Sequence, residues 1–269
     1  MKKIKFMIVS LVAILGFNSC SNEFDFTDEK KLTRYTCVID GDFKHIDRSF
    51  EYNKKGRLIS AYEEQFFKED TYGKSSYTYN WNKKGVDVFV DNFIKLNDTE
   101  ETNISINFTI TLEKKLFAKF VYDKEYNKYN YTYDSEGRLK RYRASVSDIT
   151  FEWEGDKLVS AVDVDIDANF KYKYGNISCV KGYCPIIVWD NTQEMITLAH
   201  PERAGLRTIH CPVSVDYYSE FLEVSYNYTY EYEFDEEGYI TKIIETRTEK
   251  INNEETTNSK IYTYTLTWE

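Results

Sequence analysis

Tyr226-Asn227-Tyr228-Thr229-Tyr230-Glu231-Tyr232-Glu233-Phe234-Asp235-Glu236-Glu237-Gly238-Tyr239-Ile240 decides the fold. Up to Phe234, every second residue is aromatic and the residues between are polar. A period of two sends the aromatic set to one face of a strand and the polar set to the other. Asp235 to Gly238 then breaks the alternation. The Asp side chain opens a type I turn by bonding nearby backbone, and Gly takes the left-handed conformation of the bulge that follows. Tyr239-Ile240 starts the return strand, so the stretch is a β-hairpin.

The unit recurs along the chain. It reads Tyr52-Asn53-Lys54-Lys55-Gly56-Arg57-Leu58, Trp81-Asn82-Lys83-Lys84-Gly85-Val86 and Tyr133-Asp134-Ser135-Glu136-Gly137-Arg138-Leu139, with a shortened form at Trp153-Glu154-Gly155-Asp156-Lys157-Leu158. In each, an aromatic residue ends one strand and an aliphatic one begins the next, so both lie over the core. Ile104, Ile106, Phe108, Ile110 and Leu112 alternate with polar residues, as do Tyr262, Tyr264, Leu266 and Trp268. Hairpin signals at this spacing predict an all-β domain of about 12 or more antiparallel strands. The meander forms a strongly curved sheet or a closed soluble barrel, because long bare edges invite aggregation. The last strand, ending at Trp268, is expected to pair near the start of the domain.

Tyr-Asp-x-x-Gly-Arg-Leu at 133–139 is similar to the YD hairpins of RHS-type proteins. Together with the N-terminal signal described next, the repeated turns and the run Tyr230 to Lys242 resemble a Bacteroidetes lipoprotein family of unknown function with a porin-like antiparallel fold. The resemblance covers nearly the whole chain after that signal. It implies a fold and a location but transfers no catalytic residues.

The chain opens Met1-Lys2-Lys3-Ile4-Lys5, followed by an apolar run from Phe6 to Phe17. A basic start and a short apolar stretch form a secretory signal, too short for a spanning helix of about 20 residues. Leu15-Gly16-Phe17-Asn18-Ser19-Cys20 is a loose lipobox. We read residues 1–19 as signal peptide and Cys20 as the lipid attachment site. Residues 20–31 are the tether, and 32–269 are one β-domain with an irregular, partly helical insertion at 179–218. Ser21 after the cysteine points to the outer membrane, on its periplasmic or cell-surface face. Acyl chains contribute roughly 0.8 kcal/mol per buried methylene, enough in combination to hold a domain on a bilayer.

Loss of residues 1–19 removes three lysines and leaves 32 basic against 45 acidic residues, a net charge of −13. That charge repels nucleic acid. A barrel spanning the membrane fits poorly, because charged residues make up 30% of the sequence and many lie within the strands.

The stretch 179–218 departs from the hairpin pattern and holds all three prolines, Pro185, Pro201 and Pro212. Asn191 caps a short helix that His200-Pro201 ends. The excursion is a lid over a binding site or, preferably, a plug across a barrel mouth. Four cysteines remain beside Cys20. Cys179 with Cys184, and Cys37 with Cys211, are candidate disulfides. A metal site from Cys179, Cys184, His200, His210 and Cys211 is a rival reading, as are buried free thiols.

The sequence offers no phosphate loop, zincin motif or nucleophile elbow, and it implies no cofactor. His45 reads as a half-exposed strand residue, and Arg57 and Arg138 as cations stacked on neighbouring tyrosines. The expected function is therefore a non-catalytic binding or structural module at the envelope, with a glycan or an envelope protein as partner. The alternative is a hydrolase of envelope or dietary polysaccharide, with a His–carboxylate pair or two carboxylates in a cleft beside 179–218.

Overall fold

The computed structural model describes residues 29–40, 43–68, 71–96, 100–122, 128–143, 147–187, 195–221, 223–251 and 254–269. Residues 1–19, expected to be a signal peptide, Cys20 and the expected helix cap Asn191 lie outside the described residues.

Sixteen antiparallel strands close into one barrel in which each strand pairs with its neighbours in sequence. They are β1 (Leu32–Ile39), β2 (Phe43–Tyr52), β3 (Leu58–Lys68), β4 (Thr71–Trp81), β5 (Gly85–Leu96), β6 (Glu100–Glu113), β7 (Leu116–Tyr122) and β8 (Lys128–Tyr133). The series continues with β9 (Leu139–Arg143), β10 (Asp148–Glu154), β11 (Lys157–Asp163) and β12 (Ala168–Ser178). It ends with β13 (His210–Ser219), β14 (Val224–Phe234), β15 (Ile240–Ile251) and β16 (Glu254–Trp268). β16 closes on β1, with Leu32 opposite Trp268 and Cys37 opposite Tyr264. The strand at the C-terminus thus meets the start of the domain, as its alternation predicts, and closure removes both sheet edges.

The alternation has a direction. Tyr35, Cys37, Phe50, Val88, Ile110, Phe120, Val215, Tyr230 and Ile243 turn inward and are buried. Outward positions carry ion pairs such as Arg34–Asp47 at 2.7 Å, Lys242–Glu233 at 2.7 Å and Lys173–Asp216 at 2.6 Å. This polarity is opposite to that of membrane-spanning barrels, which turn apolar side chains outward.

The repeated turns take the expected form at three places. The side-chain oxygen of Asn53 accepts the N–H of Lys55 and Arg57, Asp134 that of Glu136 and Arg138, and Asp235 that of Glu237 and Tyr239. The glycines that follow have φ of 67°, 82° and 92°. Gly85 differs. Its backbone lies so close to β6 that an added Cβ would fall 1.9 Å from the Ile110 carbonyl oxygen, so glycine is required there for space.

The aromatic residues near these turns have a second use. Tyr52, Trp81, Tyr133, Trp153, Tyr174, Tyr232 and Trp268 each donate from the ring to a carbonyl on the preceding strand, at 2.6–2.9 Å. The acceptors are Leu32, Leu58, Phe117, Leu139, Leu158, Pro212 and Ile240 in the same order. Every even-numbered strand except β6 supplies one such donor, so a belt of side-chain hydrogen bonds girdles this end of the barrel. Tyrosine and tryptophan suit the role because an apolar body packs inward while the polar tip reaches backbone.

The same end is sealed by the crossover between β12 and β13. Among its described residues it is helical at 185–187 and carries α1 (Met195–Ala199) and α2 (Pro201–Ala204), and it buries Ile186, Ile187, Met195, Ile196, Leu198 and Leu206 in the barrel core. Anchors spread around the wall. Val180 N–H donates to Gly238 O at 3.1 Å, Leu139 N–H to Gly205 O at 2.9 Å, and Arg203 to Lys115 O at 3.2 Å. The crossover is thus a plug. It ends at residue 209 rather than 218, because His210 to Ser219 form β13. Pro212 lies within β13 where the register with β12 slips, a place that tolerates the missing N–H.

Candidate ligand-binding site in the open mouth

Away from the plug, the inward positions of the described strands become accessible. The inward row of β14 continues past buried Tyr230 to Tyr228 and Tyr226, which are half-exposed. Tyr226 and Tyr228 lie with ring centroids 6.1 Å apart and planes inclined by 30°. Tyr217 of β13 stands 6.2 Å from Tyr226 at 24°, and Phe170 of β12 is 4.7 Å from Tyr217. Strand pairing lines up these inward positions, with Tyr217 opposite Tyr226 and Phe170 opposite Tyr217. The result is a continuous aromatic wall.

Next to it, a cavity of about 680 Å³ opens over β14, β15 and β16, lined by Tyr226, Tyr228, Arg247, Glu249, Lys260 and Tyr262, with Asp40 and Ser259 at its rim. The size lies within the range of small-molecule sites, roughly 300–1,000 Å³. Arg247 is its fixed point. Its guanidinium lies 4.0 Å over the Tyr262 ring and 5.3 Å from that of Tyr228, and its Nε donates to Glu245. Burial works against the charge of Arg247, yet the neighbouring Glu245 carboxylate more than offsets this and raises its pKa. Burial also raises the pKa of Glu245, against the pull of Arg247.

Below the cavity, inward charges continue into the core. Arg48 donates to Glu63 and to the Tyr35 hydroxyl, and all three are buried. Cys37 lies between this pair and Glu245; burial, then the Glu245 charge, push its thiol up to about 12. Five adjacent strands, β15, β16, β1, β2 and β3, therefore carry one polar floor beneath the mouth.

A solved porin-like protein from Bacteroides uniformis superposes on this barrel with a TM-score of 0.62, over 88% of this chain and 98% of its own, at 15% sequence identity. The fold is porin-like. A second porin-like protein, from Bacteroides vulgatus, aligns over 90% of this chain and 99% of its own with a TM-score of 0.40 and 13% identity. No family model and no curated protein matches the sequence.

Within this porin-like barrel, the residues singled out by sequence fall in other places than the mouth. Cys37, Cys179, Cys184 and Cys211 are all buried free thiols. Cys179 and Cys184 of the crossover gather with Cys211 at the start of β13, where hydrogen bonding to Cys211 leads the causes that raise the Cys179 thiol. Cys37 lies instead beside Glu245 on the barrel wall, so the pair Cys37–Cys211 is not brought together. The metal reading loses its histidines. His200 Nε2 accepts the Leu58 N–H at 3.1 Å, and His210 Nε2 stands 3.0 Å from Asp156. Among the described residues no group of three or more His, Cys, Asp or Glu has the geometry of a metal site. His45 is a half-buried strand residue 3.0 Å from the Phe66 carbonyl. Arg57 stacks on Trp81 at 5.5 Å, whereas Arg138 binds Asp134 at 2.7 Å.

Two histidine–carboxylate pairs bear on hydrolysis. His200 Nδ1 is 3.1 Å from Glu202 inside the plug, where His200 is buried, Glu202 is largely covered, and both ring nitrogens are engaged. The other was invisible in sequence because its members are far apart: Ser178 Oγ is 3.1 Å from His210 Nδ1, whose Nε2 meets Asp156. The connectivity is that of a Ser–His–Asp chain, but the Asp156 side chain is 64% exposed and none of the three lines a cavity described above. A working triad needs a buried orienting carboxylate and donors for the oxyanion. The mouth was missed from sequence for a plain reason: Arg247, Glu249 and Lys260 read as polar strand residues until closure turns them inward.

Proposed function

We propose that this protein is a lipid-anchored, non-catalytic envelope receptor that holds a small ligand in the open mouth of its barrel. The observation that carries the reading is the asymmetry of the lumen among the described residues: plugged and hydrogen-bonded at one end, and toward the other a half-exposed aromatic cavity with a fixed guanidinium. A through-channel requires both ends open, and the plug fills one of them. The chain also enters the barrel at the plugged end, where Lys31 N–H donates to Glu269 O at 2.6 Å and Arg207 to Glu29 at 2.6 Å. Eight residues separate Cys20 from Glu29, a span of roughly 30 Å at full extension. An acylated Cys20 therefore turns the plug toward the bilayer and the mouth away from it. The polar outer wall supports a domain that stands in water beside the membrane. Two measurements test the reading. Cys20→Ser moves the protein from the membrane fraction to the soluble one, and a panel of sugars, amino acids, nucleotides and organic acids contains at least one class that raises the melting temperature. A membrane-retained Cys20→Ser variant refutes the anchor; a panel without effect refutes the receptor.

A further inference from the structure

We infer that the ligand of the mouth is a neutral carbohydrate, an oligosaccharide read by ring stacking and by hydroxyl hydrogen bonds. This deepens the receptor reading above and rests on it. Three features of the cavity combine.

The first is the platform. Tyr217, Tyr226 and Tyr228 present rings side by side, 6.1–6.2 Å apart along the row and inclined by no more than 30° between neighbours. A pyranose ring has a face of C–H bonds that packs on an aromatic face, and a row of rings accommodates successive sugar units. Core tyrosines of this barrel, such as Tyr35 and Tyr239, are sealed from solvent; Tyr226 and Tyr228 are not.

The second is the pairing of donor with acceptor. Arg247 has five N–H donors, and only Nε is engaged with Glu245 among the described residues. Its remaining edge is held in place by Tyr262 and Tyr228 on its faces. Glu249, two residues along the same inward row and in the same cavity, supplies an acceptor. Adjacent sugar hydroxyls both donate and accept, so they satisfy such a pair at once.

The third is charge, and it decides between neutral and acidic sugars. Arg247 and Lys260 share the cavity lining with Asp40 and Glu249, and Glu245 binds Arg247 beside it. Cations and carboxylates nearly cancel, and an anionic ligand would approach Glu249 and Asp40 with no donor on either. The excess of acidic residues over the whole chain acts in the same direction. A neutral polyol meets no such opposition.

Isothermal titration of the full-length chain, purified in mild detergent, tests the inference. The probes are neutral oligosaccharides of glucose, mannose, xylose and galactose and one acidic oligosaccharide of galacturonate. We expect at least one neutral probe to bind, Tyr226→Ala to weaken it at least tenfold, and Phe89→Ala on the outer wall to leave it unchanged. Arg247→Lys keeps the charge over Glu245 but loses the planar fork, and is expected to weaken binding while the protein melts as a folded species. If the galacturonate probe binds tighter than every neutral one, or if the bound sugar is indifferent to Tyr226→Ala, the inference fails. If sugars do nothing while another class in the stabilisation panel binds, the carbohydrate class is wrong and the receptor reading stands. If no class binds, both fall.

Discussion

Replacing His200 by alanine tests whether the plug is latched by a neutral imidazole. His200 accepts the buried Leu58 N–H at 3.1 Å through Nε2, so its proton sits on Nδ1 and points at Glu202, 3.1 Å away. Edge contacts to Trp81 and Tyr52, at 5.5 and 6.1 Å between centroids, complete its surroundings. Truncation leaves a buried N–H without an acceptor, which costs about 1–3 kcal/mol, and takes from the largely covered Glu202 a charged hydrogen bond of about 1.5–3 kcal/mol. Lost ring packing adds about 1 kcal/mol. Because these contributions overlap, we expect a net destabilisation of about 4 kcal/mol. The pH dependence follows from burial, which lowers the pKa of His200 against the opposing pull of Glu202. The unfolded chain binds a proton near the ordinary histidine value of about 6.5, while the folded protein resists it. The contribution to stability is therefore fully present above that value and is lost as pH falls below it. Urea unfolding followed by tryptophan fluorescence, at about pH 8 and about pH 5.5, reads both effects. His200→Ala should lose stability at the higher pH and lose most of the difference between the two. A variant within about 1 kcal/mol of the parent, or one that keeps the parent's full pH difference, would refute the latch.

Three further outcomes follow from the fold. Trp153→Phe removes one donor of the aromatic belt and orphans the Leu139 carbonyl, so thermal melting should show a loss of about 1–2 kcal/mol. Gly85→Ala drives a Cβ into the Ile110 carbonyl, whereas Gly155→Ala meets open space at a φ of 62°. The first should cost about 3 kcal/mol or more and the second about 1–2 kcal/mol; equal melting temperatures would contradict the close strand approach. His210→Ala breaks only the exposed Ser178–His210–Asp156 chain, so stability should change by about 0.5 kcal/mol or less. Hydrolysis of a p-nitrophenyl ester should be the same with and without His210, and a rate that depends on His210 would argue for an enzyme.

The strands were legible in the sequence because aromatic alternation and Asx-x-x-Gly turns are local signals. Tyr226 to Ile240 contain strand, turn and strand without reference to the rest of the molecule. The plug was legible only in outline, through its prolines and its break in period; the end of the excursion was misjudged because Pro212 lies in a register slip that no local pattern announces. The mouth was not legible. Inward Arg247 and outward Thr248 look alike in a polar strand end, and which faces the lumen depends on pairing to β14 and β16. The repeated aromatic before each turn was read as core packing alone; its hydrogen bond to the preceding strand is a tertiary relation that the next hairpin completes. Phe234, which has no polar tip, stands 38% exposed at its turn, and two residues earlier Tyr232 takes the bonding role.

The seam between β1 and β16 has a kinetic consequence. Of the barrel's sixteen strand pairings, this one alone joins strands that are not consecutive, bringing Leu32 to Trp268. Consecutive hairpins close short loops and form early, while a contact between the two ends of the chain carries the largest loop-closure cost. The barrel is thus expected to zip as a growing curved ribbon and to snap shut last. Until then two long bare edges are exposed to other copies. A chain of this design depends on its final strand arriving promptly, and damage to β16 should appear as aggregation during folding before it appears as a lower melting temperature.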